Sequence, residues 1–257
     1  VLDQGGLNPT FLIGGIAQNF GVSFRVTDSE YFVIEGDEYD TAYFDKGPKF
    51  MHYLPELAIV NNIEFDHADI YSDLAAVRLA FRRLMNLVPA NGRLIVGWDS
   101  SNVREVVASF GERLFTQLET FGMSSDAKWQ IADADYSGEL SSFKVVREGQ
   151  EWGRFKTPLI GDFNLLNCLA VIVAADAWGM ERDAIAAALA SFKNVRRRAE
   201  VRGEAAGVTV IDDFAHHPTA VRETLSALRQ KYQQRRLVAV FEPRSWSSRR
   251  RRARRGR

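Results

Sequence analysis

The chain has a single cysteine, Cys168, in 257 residues, so no internal disulfide framework can form and a reducing compartment suits it. No stretch approaches the roughly 18 consecutive apolar residues that a membrane-spanning helix needs. The first ten residues, Val1 to Thr10, lack the basic start and apolar run of a secretory leader. The cytoplasm is therefore the expected location, with no membrane partner. Acidic groups are missing from the last 14 residues, Arg244 to Arg257, which hold eight arginines. Removing those eight leaves residues 1–243 with 25 bases against 33 acids, a formal charge of −8 hidden by the overall balance of zero. An acidic body argues against nucleic-acid binding by the folded part, because phosphate contact needs a basic face. The arginine run suits a nucleic-acid or anionic-surface arm, and more plainly a disordered end.

The 46% hydrophobic content supports one large or two modest cores. Residues 31–35 and 57–62 are short apolar runs followed directly by polar or acidic groups, the pattern of buried parallel strands that deliver ligands at their C-terminal ends. Both are expected at the same sheet edge. Residues 73–87 place Leu74, Val77, Phe81, Leu84 and Met85 on one helical face, with arginines opposite, and Pro89 and Asn91-Gly92 end the helix. Arg93 to Gly97 reads as a strand, a helix starts near Asn102, and a further strand is expected near 113–118. From 128 to 157 alternation with turns at Ser137-Gly138 and Glu148-Gly149-Gln150 predicts an antiparallel meander. Ala/Leu-rich helices follow at 165–178 and 181–191, broken at Gly179. Beyond a basic stretch at Lys193 to Arg198, a strand at 208–211, a helix at 218–231 and a strand at 237–241 would begin a second α/β unit. The expected class is α/β, with a mostly parallel sheet, a small antiparallel meander and the start of a Rossmann-like domain. The expected divisions are 1–197, 198–248 and an arginine-rich tail, 249–257.

Four constellations carry chemistry. Glu35, Asp37, Glu38 and Asp40 crowd four carboxylates at a strand end, where a hard divalent cation such as Mg²⁺ would relieve their repulsion; a solvated acidic loop is the plainer reading. Asn61-Asn62-Ile63-Glu64-Phe65-Asp66-His67-Ala68-Asp69 follows the next strand, with His67 a candidate metal ligand or proton-transfer group. Asn164 and Asn167 share one face at a helix start, where paired amides suit a purine edge and ordinary capping is the alternative. Arg196-Arg197-Arg198-Ala199-Glu200 and Asp212-Asp213-Phe214-Ala215-His216-His217-Pro218 lie near the expected domain junction, where basic groups could neutralise phosphate.

In this order the segments resemble the Mur ligase family: the Glu35 cluster, Asn62-Ile63-Glu64-x-Asp66-His67, Gly161-x-x-Asn164-x-x-Asn167, Arg198-x-Glu200 and Asp213-Phe214-Ala215-His216-x-Pro218. The resemblance spans residues 1 to about 250. Phe44-Asp45-Lys46, Lys49-Phe50-x-His52-Tyr53 and Glu242-Pro243-Arg244-Ser245 favour the branch that adds a tripeptide in murein recycling over the alanine-adding branch. The resemblance implies an ATP- and Mg²⁺-dependent ligase of three domains. Such an enzyme phosphorylates the lactyl carboxylate of UDP-N-acetylmuramate and joins it to L-Ala-γ-D-Glu-meso-diaminopimelate. It further implies that Glu35 and His67 bind Mg²⁺, that Asn164 and Asn167 contact adenine, that Arg198 reaches the nucleotide phosphates, and that Asp213 holds the nucleotide from the C-terminal domain. Asn62 and Glu64 would shape the metal pocket.

The family's Gly-Lys-Thr/Ser phosphate loop appears nowhere in these 257 residues, Phe163 replaces the usual histidine before Asn164, and Ala80-Phe81-Arg82 offers no lysine for carbamylation. Without the loop's amides and lysine, the chain is expected not to catalyse alone. A non-catalytic nucleotide- or metal-binding module is the rival reading from another class.

Overall fold

A computed structural model describes residues 1–65 and 70–242. Asp66, His67, Ala68, Asp69 and residues 243–257 lie outside the described residues. The chain opens with β1 (Thr10–Ala17), β2 (Val22–Arg25) and β3 (Phe32–Ile34), then a hairpin of β4 (Asp40–Ala42) and β5 (Asp45–Pro48). Next come β6 (Leu57–Val60), α1 (Leu74–Leu87), β7 (Arg93–Gly97), α2 (Ser101–Ala108) and β8 (Gln117–Gly122). The meander β9 (Trp129–Asp135), β10 (Ser141–Arg147) and β11 (Gln150–Thr157) precedes α3 (Asp162–Ala177) and α4 (Arg182–Ala190). A hairpin of β12 (Glu200–Ala205) and β13 (Val208–Asp212) leads into α5 (Pro218–Lys231).

The main sheet has the order β11-β10-β9-β8-β7-β6. Strands β6 to β9 run parallel and the last three form the antiparallel meander. Strand β7 explains the layering. Leu94, Ile95 and Val96 are all fully buried, because alternate side chains point to opposite faces and both faces are covered. Leu94 and Val96 join the core beneath α1 and α2, which includes Val77, Leu84, Met85, Val103 and Val106. Ile95 joins the core with Leu165, Leu169, Ile172 and Val173 of α3 and Ile185 of α4. Each such aliphatic side chain contributes about 1.5–3 kcal/mol on burial.

Helix α1 starts where Asp73 accepts a hydrogen bond from the Ala76 N–H at 2.8 Å, a cap contributing about 1 kcal/mol. It stops at Val88, whose extended backbone is what a residue before proline prefers. Helix α3 is apolar on nearly all sides because sheet and α4 enclose it.

Three expectations are corrected. Strand β3 pairs with β1 in a separate three-stranded sheet, β2-β1-β3, so the runs at 31–35 and 57–62 do not share a sheet edge. The strand expected near 113–118 lies at β8, displaced because Gly111–Arg113 form a 3-10 turn that delays chain extension. Of the second unit, the expected strand and helix are present as β13 and α5, but β13 pairs antiparallel with β12 and residues 237–241 form no strand. Val238 and Val240 there are 73% and 97% exposed, so apolar character found no ladder to enter.

Candidate functional site at the C-terminal end of the parallel strands

Strand β6 ends at Val60 and the chain passes into Asn61, Asn62, Ile63 and Glu64. Ile63 is 1% exposed and anchors this loop in the core. Its carbonyl accepts from the Asn102 side-chain amide at 2.6 Å, while Arg78 donates to the Asn102 Oδ1. Arg78 of α1 and Asn102 at the start of α2 thus hold the loop in place. Gly97, at the end of β7, allows close approach: a Cβ there would lie 1.9 Å from the Asn61 carbonyl oxygen. Pressed into that position, the Asn61 Nδ2 donates to Asn167 Oδ1 at 2.9 Å.

Beside this loop lies a cleft of about 190 Å³ lined by Glu38, Asn62, Glu64, Tyr71, Val77, Phe81 and His217. Its residues come from the acidic turn, the β6 loop, the approach to α1, α1 itself and the start of α5. Tyr71 donates to the Glu38 carbonyl at 3.2 Å. Burial, with the Glu38 and Asp40 carboxylates adding to it, pushes the Tyr71 phenol up to about 12. Glu64 accepts through both oxygens, from Asn62 Nδ2 at 3.3 Å and from the Thr219 hydroxyl at 2.9 Å.

The residues singled out from sequence fall into several places. Glu35 is exposed at the end of β3, and its Oε2 accepts from the Gly14 N–H at 2.5 Å. Of its acidic neighbours, Asp37 pairs with Lys49 at 3.3 Å and Asp40 with Lys46 at 2.6 Å, so lysines supply part of the positive charge expected of a cation. His67 lies outside the described residues. Asn164 turns back, donating to the Ile160 carbonyl at 2.9 Å, and does not share the Asn61 contact of Asn167. Neither asparagine caps α3; Gly161 occupies that position at φ 87° with no side-chain cap.

Arg198 is exposed, with its guanidinium 6.0 Å from the Phe214 ring centroid and its carbonyl accepting from Asn194. Asp213 accepts from the Ala199 N–H at 2.7 Å and from the Ala215 N–H at 2.7 Å, so it stitches the Arg198 loop to the turn before α5. The Arg197 N–H donates to Glu200 at 2.8 Å, which holds that carboxyl below its usual range. Sequence reading therefore found the Arg198 and Asp213 segments and the structure joins them. It missed Tyr71, and it had no means of pairing Asn61 with Asn167, 106 residues apart, or Glu64 with Thr219.

Among the described residues no group of three or more His, Cys, Asp or Glu side chains could hold a metal ion. Mg²⁺ commonly takes only one or two carboxylates and completes its shell with substrate phosphates and water. An exposed carboxylate such as Glu35, released from the Gly14 N–H, fits that donor chemistry. No helix among the described residues is long and apolar enough to cross a membrane.

Comparison with known proteins agrees with this layout. The Mur ligase middle domain matches residues 18–175, and the Mur ligase glutamate ligase domain matches residues 197–255. The UDP-N-acetylmuramate–L-alanyl-γ-D-glutamyl-meso-2,6-diaminoheptandioate ligase of Escherichia coli strain K12 is 45% identical over 246 residues, covering 95% of this chain and 52% of that protein. The UDP-N-acetylmuramate–L-alanine ligase of Anaeromyxobacter strain Fw109-5 is 37% identical, covering 95% of this chain and 50% of that protein. The crystal structure of the corresponding meso-diaminopimelate ligase from Neisseria meningitides superposes with a TM-score of 0.68 at 41% identity, covering 76% of this chain and 61% of that one. The chain thus spans about half the length of the curated relatives it matches. With both domain types matched in order and 41–45% identity to two ligases, this chain belongs to the Mur ligase family.

Proposed function

We propose that these residues form the nucleotide-handling part of an ATP-dependent ligase that joins L-Ala-γ-D-Glu-meso-diaminopimelate to UDP-N-acetylmuramate in the cytoplasm. The observation that carries the reading is the higher identity to the tripeptide ligase, 45% against 37% for the alanine ligase over almost the same span. In the proposed reaction a lactyl carboxylate oxygen attacks the γ-phosphorus of ATP, the bond to the β-phosphate oxygen breaks, and ADP leaves. The tripeptide amine, having lost its ammonium proton, then attacks the acyl carbon, and inorganic phosphate departs as the amide forms. Such chemistry needs charge neutralisation and alignment more than covalent help from the protein.

In this reading Glu35 and His67 hold Mg²⁺, which when bound neutralises charge on the phosphates. Asn164 and Asn167 contact the adenine from the start of α3, and the bond from Asn61 sets the orientation of the Asn167 amide. Arg198 is exposed and carries a charge toward the phosphates, while Asp213 fixes the backbone on which Arg198 is displayed. The test is an amide-forming assay of the full-length ligase carrying this segment, offered L-alanine or the tripeptide. Turnover with the tripeptide is expected; turnover with alanine alone refutes the substrate assignment.

A further inference from the structure

Among the described residues, helix α5 meets the central unit near its start, at its middle and at its end. Near its start the Thr219 hydroxyl donates to Glu64 beyond β6. At its middle Ala227, 2% exposed, packs on Gly161 at the start of α3, where an added Cβ would lie 2.4 Å from the Ala227 Cβ. At its end Lys231 donates to the Gly138 carbonyl in the β9–β10 turn. The middle contact is apolar and closed to water. The first is a polar contact at the rim of the cleft, and it belongs to a carboxylate whose other oxygen is held by Asn62.

We infer that Glu64 is a positioning residue, a bridge that docks the start of α5 on the β6 loop and so fixes the width of the cleft between them. The hydroxyl of Thr219 is the bond that counts. The His217 Nδ1 lies 3.6 Å from the same oxygen, too far for a hydrogen bond, and accepts instead from the Thr219 N–H at 3.4 Å as the cap of α5. Since Asn62, on the same loop, holds one oxygen of this carboxylate and Thr219 of α5 donates to the other, losing the carboxylate should free α5 to swing about Ala227 while the pivot stays packed.

Hydrogen exchange of the 257-residue chain tests this without reference to catalysis, so its outcome is separable from that of the ligase reading. Glu64→Ala is expected to speed exchange of the amides at 221–223 on the order of tenfold, with the amides of α3 and β7 unchanged. Glu64→Gln keeps an acceptor for the hydroxyl and should restore most of the protection, whereas a role in charge balance alone predicts no rescue. Thr219→Val should reproduce the Glu64→Ala effect, and the double variant should add nothing. Unchanged exchange in Glu64→Ala, additive effects in the double variant, or faster exchange spread evenly over the sheet would each overturn the inference.

Discussion

Gly97 illustrates how one residue without a side chain can place a functional loop. It closes β7, and the Asn61 carbonyl occupies the space a methyl group would need. Gly97→Ala is expected to destabilise the fold by about 2–3 kcal/mol, the cost of overpacking a rigid site, as read from urea denaturation. The same change should displace Asn61 from Asn167, which an altered side-chain amide signal of Asn167 would report. Tyr71 makes a second residue-scale case. Its phenol is raised from 10 to about 12, so the neutral form is favoured on folding. The stability it contributes is complete below its ordinary value and is lost as pH rises through about 12. Ultraviolet titration of the native chain should contain an ionisation near 12 that is missing from Tyr71→Phe.

At the scale of elements, α5 depends on one glycine, the cap residue of a different helix. Gly161 has φ 87° and ψ 149°, a region open essentially only to glycine. Gly161→Ala therefore meets backbone strain and the Ala227 methyl together, and should cost about 2 kcal/mol or more. Adding Ala227→Gly removes the clash but leaves the strain, so thermal melting should show only partial recovery. The hairpin β12–β13 marks where element prediction fell short. Its two strands alternate weakly, with Val201, Val208 and Val210 all more than half exposed. Pairing of 208–212 with 200–205 instead of 237–241 was invisible, because a short apolar run specifies a strand and not its neighbour.

For the whole molecule, the decisive feature is the set of segments brought to one end of the parallel strands. Asn61 to Glu64, Asn167 and the turn before α5 meet there, yet no Gly-Lys-Thr/Ser loop is present in the 257 residues. Backbone amides and a lysine aimed at a triphosphate cannot be replaced by one exposed arginine. Titration calorimetry of this chain with ATP and Mg²⁺ is expected to show weak or absent binding, and micromolar affinity would contradict that expectation and favour a binding module complete in itself.

The sequence by itself determined the local pieces: α1 with its arginine-free buried face, β7, the meander and its turns, α5 from Pro218 to Lys231, and the family motifs that name the candidate residues. The elements rest on periodicity, capping and turn chemistry, which act over a few neighbouring residues, and the candidate residues rest on the family resemblance. Only the tertiary structure decided that β3 belongs to a separate sheet, that lysines neutralise part of the acidic turn, and that Glu64 reaches Thr219 across 155 positions. Those outcomes depend on which surfaces meet once the core has formed, and a pattern along the chain carries no record of distances across it.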